Sequence, residues 1–243
     1  MLIQTPGIVL RHVDFSESSR IITIFTRDYG KIAVMVKGFR RAKSRYAGIM
    51  AYGSILDLII YYKQTRSVQT LKEADVRIGT VLVQSDFIKL SIAMALLELA
   101  DLTVHEHEPN EPMYDFLETF IQWLNQSTDD CRILFPYLQM RVAELSGVGL
   151  QFDATQNQGD LFLNIISGSI SDYSDEGLFF KLKPMQKEYM HIAMQGKTSR
   201  LLKTEISTVE LKNLINHLDV YLKHHIDGLR DRKTDAIFEQ ILD

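Results

Sequence analysis

Residues 20–38 read RIITIFTRDYGKIAVMVKG, and the folding of this stretch decides the architecture of the N-terminal third. Ile21 through Thr26 are all β-branched or aromatic, Thr23 and Thr26 being the polar members, which suits a half-buried strand. Asp28-Tyr29-Gly30 is turn chemistry, because glycine accepts positive φ at little cost. Lys31 to Gly38 then reads as the returning strand of a hairpin. Upstream, Gly7-Ile8-Val9-Leu10 is a further strand signal, followed by the polar connector VDFSESSR. Downstream, SILDLIIYY and SVQTLKEADVRI make two more strands around a KQTR turn. Five short strands with almost no helical period predict a small barrel, of which the oligonucleotide-binding (OB) barrel is one kind; a small sandwich has the same pattern.

The period changes at Ser85. Ile88, Ile92, Leu96 and Leu99 recur at three and four residues, the mark of a helix with one buried face. Pro112 suits the first turn of a second helix carrying Phe116, Leu117, Phe120, Ile121 and Leu124. A third is expected over ILFPYLQMRVAELSG, ended by Gly147 and Gly149. Pro184 opens another, closed by Gly196. Ser207 and Glu210 have capping-box spacing at the head of a long amphipathic helix. Between these lies a polar stretch in which LFLNIISGSI reads as a strand or a buried connector. The expected organisation is α+β: a barrel domain over residues 1–80, then a mainly helical domain over 81–243 with an insert at 151–182.

The 243-residue chain is 46% hydrophobic and 24% charged, ordinary for a globular protein. It has no basic start followed by a long apolar run, so no signal peptide is expected, and no membrane span. Cys131 stands alone, so neither an internal disulfide nor a cysteine zinc site is expected. These features predict a cytoplasmic protein. The net charge of −4 hides an asymmetry: residues 1–80 carry 13 Lys+Arg against 6 Asp+Glu, and the remainder 14 against 25. Halves of opposite sign point to two surfaces with different partners, the basic one suited to phosphates.

Catalytic patterns are missing. No GxGxxG or GxxxxGK[ST] phosphate loop occurs, and no GxSxG elbow. His105-Glu106-His107-Glu108 has metal-ligating types, and with Glu111 it has the composition of a magnesium nuclease cluster, but such a run before Pro109 and Asn110 reads as a solvated acidic loop. His224 and His225 are neighbours on a helix and point about 100° apart. No catalytic residue, metal or cofactor is expected.

The sharpest functional signal adjoins the hairpin. VKGFRRAKSRYAG, residues 36–48, holds five bases and no acid. Lys31, Lys37, Arg40, Arg41, Lys43 and Arg45 are candidates for phosphate contact, with Lys63 and Arg66 on the next turn as secondary ones, if the barrel brings them to the same side. Phe39 and Tyr46 would offer faces for base stacking, or serve as core residues at the loop's ends. A loop kept soluble by its bases has the same composition.

At these residues the sequence resembles the bacterial RecO family of DNA-repair and recombination mediators. The match runs through Gly7–Leu10, Glu17, Arg20–Thr26, Tyr29-Gly30-Lys31, Lys37–Arg41 and Lys43-Ser44-Arg45, and more loosely through LLELAD, the helix around Arg141 and YLKHHIDGLRDRK. The resemblance implies an OB barrel followed by helices and a non-enzymatic protein of the cytoplasm and nucleoid. It implies binding of single- and double-stranded DNA, strand annealing, contact with the C-terminal tail of single-strand-binding protein, and, with RecR, loading of RecA. Arg132 and Arg141 are the candidates for a positive rim around that acidic tail. Many members carry a four-cysteine zinc module where this chain has FDATQNQGDLFLNIISGSISDYSDEGLFFKL, so the module is degenerate and zinc is not expected. Two other classes fit parts of the pattern: an RNA-binding accessory barrel and a magnesium nuclease.

Overall fold

The computed structural model describes residues 1–153 and 159–242, with Phe238 described by its backbone only. Residues 154–158, inside the expected insert, lie outside the described residues.

Strands β1 (Leu2–Asp14), β2 (Arg20–Thr26), β3 (Gly30–Val36), β4 (Ile55–Tyr61) and β5 (Val68–Ile78) close into a barrel in the order β1-β2-β3-β5-β4. That closure decides between barrel and sandwich. The β2–β3 hairpin turns at Thr26↔Gly30, as its Asp-Tyr-Gly chemistry predicts. β1 is long enough to serve two neighbours: Gly7 lies opposite Thr26 on one side and Leu56 on the other. A Cβ at Gly7 would approach Ile24 Cγ2 to 2.6 Å and Leu58 Cδ1 to 2.7 Å, so only glycine fits this crowded interior. Alternation drives Ile22, Ile24, Ile32, Val34, Leu56, Leu58 and Ile60 inward to form the core. The polar connector is shorter than its composition suggests, because Val13 and Asp14 pair with Ile21 and Arg20, leaving residues 15–19. The basic stretch contains one turn of helix, α1 (Arg45–Ile49).

Helices α2 (Val81–Ser85), α3 (Phe87–Thr103) and α4 (Glu111–Gln126) belong with the barrel in one compact unit, Met1–Ser127. The Asp86 carboxylate accepts from the Lys89 N–H and the Asn110 side chain from the Met113 N–H, capping α3 and α4. Phe25 packs against Tyr114 with ring centroids 6.0 Å apart. Arg27 grips Asp115 with two hydrogen bonds of 2.8 and 3.1 Å, and Arg77 donates to Glu118 at 2.8 Å. The residue-80 boundary read from the change of period therefore marks a change of secondary structure. Compact packing divides at Ser127 instead, because α4 faces its partners in the barrel.

The second unit, Thr128–Asp243, starts with a 3-10 turn at Cys131–Leu134 and α5 (Phe135–Leu145). The insert is a small sheet of β6 (Gln151–Phe152), β7 (Leu161–Asn164), β8 (Ser169–Ser171) and β9 (Phe179–Leu182), in the order β6-β8-β7-β9. Leu163, Ile165, Ile170 and Leu182 are buried. Four helices follow: α6 (Pro184–Met194), α7 (Thr198–Leu201), α8 (Thr208–His225) and α9 (Asp235–Leu242). Ser207 caps α8 by accepting from the Glu210 N–H. Among the described residues no helix is long and apolar enough to cross a membrane.

Candidate nucleic-acid interface

The basic loop leaves β3 at Val36 and is pinned at three buried side chains, Val36, Phe39 and Met50. Between these anchors the bases have nowhere to go but outward: Lys37, Arg40, Arg41, Lys43 and Arg45 are all exposed. Gly38, at φ +72°, makes the turn, and the Arg41 N–H closes it by donating to the Gly38 carbonyl at 3.2 Å. A second turn, Ser44 N–H to Arg41 carbonyl at 2.9 Å, leads into α1. Cations thus lie on a backbone that is hydrogen-bonded internally and anchored to the core.

Their availability differs. Lys37, Arg41 and Lys43 have no ion-pair partner among the described residues. Arg40 lies 3.8 Å from Asp14 and donates to the Ser16 carbonyl at 3.4 Å. Asp14 is held more closely by Arg20, at 2.7 Å, and that hydrogen bond keeps its carboxyl below the usual carboxylate range. Arg45 lies over the Tyr46 ring at 5.1 Å. Glu73 and Asp75 on β5 bound the surface on that side and add to the field at Arg45.

Lys31 does not join this surface. One residue into β3, its side chain turns inward, 11% exposed, with Nζ 3.0 Å from Asp101 Oδ1 and donating to the Asp101 carbonyl at 2.6 Å. Its charge is committed to joining α3 to the barrel.

Phe39 is a core residue. It is 5% exposed, and the Arg20 guanidinium covers its ring at 4.6 Å. No base can reach its face in this arrangement. Tyr46 is half-buried against the core, with Arg45 over the ring and its hydroxyl donating to the Lys72 carbonyl at 3.4 Å.

Lys63 and Arg66 are exposed but lie at the other end of β3. The parallel register places Val68 beside Ala33, so the β4–β5 turn adjoins the start of β3 while Lys37 follows its end. Four residues from Ala33 to Lys37 span about 13 Å of strand. Gln69, fully buried, holds that turn by bonding to the main chain of Lys63 and Arg66. Lys72 on β5 does come to the basic stretch, its carbonyl accepting from the Tyr46 hydroxyl at 3.4 Å. Lys72 was hidden in the sequence by the acids that follow it in LKEAD.

The histidine–glutamate run after α3 keeps its side chains exposed, as a solvated loop does, while its backbone docks on the start of β3. Glu106 bridges Lys31, and the His107 N–H donates to the Lys31 carbonyl at 3.0 Å. Among the described residues no group of three or more His, Cys, Asp or Glu side chains is placed to hold a metal ion.

In the second unit, Arg132 donates to both oxygens of Asp130 and, at 2.9 Å, to the Ile241 carbonyl. Arg141 pairs with Glu144 one turn along α5. Each lines a cleft. Arg141 borders one of about 410 Å³ with Tyr137, Met140, Leu150, Ala193 and Met194. Arg132 borders one of about 440 Å³ with Ile133, Leu202, Leu211 and Leu242.

Comparison with known proteins joins the two units to one lineage. Residues 1–78 match the family described as "Recombination protein O N terminal", and residues 84–235 match "Recombination protein O C terminal". Among curated relatives, the DNA repair protein RecO of Chloroherpeton thalassium is 27% identical, with all of both chains covered. That of Exiguobacterium sp. is 25% identical over all of this chain and 97% of the relative. With an OB-type barrel, helices following it in the chain and family matches over residues 1–78 and 84–235, the chain belongs to the RecO family of DNA-repair proteins.

Proposed function

We propose that this RecO-family chain acts without catalysis, holding single- and double-stranded DNA by the phosphates and promoting annealing of complementary strands. The observation that carries the reading is the pinned loop. Lys37, Arg40, Arg41, Lys43 and Arg45 project from a closed OB-type barrel while Phe39 and Met50 fasten the backbone beneath them. Phosphate contacts supply affinity without reading sequence, so binding is expected to be general and steep in salt. Annealing follows from the same charge: a cationic surface that screens two strands from each other leaves their base edges free to pair. Lys63 and Arg66 would serve only a strand long enough to pass along the barrel.

The cleft beside Arg141 suits an acidic peptide with an apolar end, the chemistry of the single-strand-binding protein's tail, provided Glu144 releases the guanidinium. Partnership with RecR and delivery of RecA to coated DNA rest on membership of the family alone.

The test is a fluorescence-anisotropy titration of labelled single-stranded DNA across a salt series. If about four to six phosphates are neutralised, the slope of log K against log salt is roughly −3 to −4. Arg40→Ala with Arg41→Ala is expected to weaken binding and flatten the slope by about 1.4, at roughly 0.7 per lost contact. Wild-type affinity and slope in the double variant would remove the loop from the interface.

A further inference from the structure

The five-residue β1–β2 connector, residues 15–19, carries an exposed aromatic ring, Phe15. Phe15 is 58% exposed, and Val13 near the end of β1 is 60% exposed. The connector beneath them is well fixed. The Phe15 and Ser16 N–H groups donate to the Ser19 carbonyl at 3.2 and 3.3 Å, and the Ser19 N–H returns to Ser16 Oγ at 3.2 Å. It is also tied to the basic loop. The Arg40 N–H donates to the Ser18 carbonyl at 3.2 Å, and the Arg40 guanidinium donates to the Ser16 carbonyl at 3.4 Å.

The acids of this corner are unequally engaged. Asp14 is paired with Arg20 and Arg40, whereas Glu17 has no ion-pair partner among the described residues. An exposed aromatic on a rigid backbone beside arginines is the arrangement that stacks a base while its phosphate is held. Phe39, the ring suggested by composition, is closed off under Arg20, whereas Phe15 is open and its two chain neighbours, Asp14 and Ser16, both meet the Arg40 guanidinium.

We propose that Phe15 is a stacking platform for one unpaired base of a strand whose phosphates lie on Arg40 and Arg41, so that the site distinguishes single strand from duplex. The proposal rests on the DNA-binding reading above. Only an unpaired base can turn its face to Phe15, whereas phosphates are offered by both forms. The platform therefore adds affinity for single strands alone, and gives it up as a base leaves to pair.

The test uses the full chain, with a labelled oligothymidylate and a labelled duplex, each titrated over a salt series. Phe15→Ala is expected to lower single-strand affinity about tenfold while leaving the salt slope unchanged, since a stacked base carries no released counterion. Duplex affinity should stay within about twofold, and Phe15→Tyr should restore the single-strand value. Equal weakening on both substrates, or single-strand affinity within about twofold of wild type, would overturn the platform. Loss in the Arg40/Arg41 double variant without loss in Phe15→Ala would sink this inference alone; a wild-type chain that binds neither substrate would sink the DNA-binding reading with it. An independent readout is Phe15→Trp in a Trp123→Phe background, which makes residue 15 the single tryptophan. Its emission should be quenched by oligothymidylate and not by duplex, and an emission indifferent to both would again refute stacking.

Discussion

At Gly30 two demands meet on one Cα. The residue sits at φ +67°, and a Cβ there would lie 2.3 Å from the Glu108 carbonyl oxygen. The first demand was legible in the sequence as a turn glycine. The second was not, because nothing in Asp28-Tyr29-Gly30 says that residues 106–108 fold back over the turn. Gly30→Ala should therefore destabilise by at least about 2 kcal/mol, since backbone strain adds to a clash that no rotamer relieves. A urea midpoint equal to wild type would show that the docked run yields freely. Lys31 and Phe39 make the same point at neighbouring positions. Both belong by type to a nucleic-acid surface, and both are turned inward, one by the partner waiting at Asp101 and one by the hydrophobic gain of filling the barrel end.

At the scale of elements, the insert shows how a small sheet holds a loop without metal ligands of the cysteine type. Asn164 on β7 is fully buried, and its amide group donates to Ser171 Oγ at 2.8 Å and to the Tyr173 carbonyl at 3.2 Å. Its side-chain oxygen accepts the Asp175 N–H at 2.9 Å, and Ser171 Oγ donates to the Tyr173 carbonyl at 2.7 Å. One side chain thus holds both the Tyr173 carbonyl and the Asp175 N–H. Asn164→Ala would strand a buried N–H and weaken the hold on a carbonyl, at a cost of about 1–3 kcal/mol. Hydrogen exchange should show the amides near Tyr173 and Asp175 opening faster while barrel amides keep their protection; unchanged exchange there would contradict the role. Periodicity could not find this network, because its members are polar and spaced by a fold-back. By contrast, the α8 cap was legible, since Ser207 and Glu210 act within one turn and need no tertiary partner. Arg232 lies between these cases: its type is plain, but its bidentate grip on Asp219 at 2.7 and 2.8 Å joins residues 13 apart across the start of the C-terminal segment.

Over the whole molecule, both units contain a histidine whose protonation burial disfavours. Burial lowers the pKa of His12 despite its bond to the Met50 carbonyl, and burial lowers that of His217, whose ring lies 3.9 Å from Phe180, almost parallel. His217 Nδ1 is buried without a hydrogen-bond partner, so adding a proton there would leave an unsatisfied donor. The sign follows from linkage. Below the ordinary value of 6.5 the unfolded chain binds these protons and the folded chain resists them, so stability is fully present above 6.5 and falls as pH drops through that value. The Asp14 and Asp115 carboxylates, lowered by their arginine partners, act only below 3.8 and do not blur this window. Urea midpoints should fall between about pH 7.5 and 5.5, and His217→Phe should flatten the fall for the second unit. A midpoint constant over that range would show that both rings protonate freely in the folded chain.

The strands, their turns, the helix period and the caps were determined by the sequence itself, because each depends on residues within a turn or a strand's length of one another. The collection of bases at residues 37–45 was fixed in the same local way, as was the alternation that sends them outward between buried anchors. Tertiary structure alone decided which charges and rings remain available. Closing the barrel sent Lys63 and Arg66 to the far end of β3, brought Asp101 to Lys31, sealed Phe39 beneath Arg20 and left Phe15 open beside Arg40. Availability is a property of the partner that comes from a distant part of the chain, and no local pattern of residue types carries it.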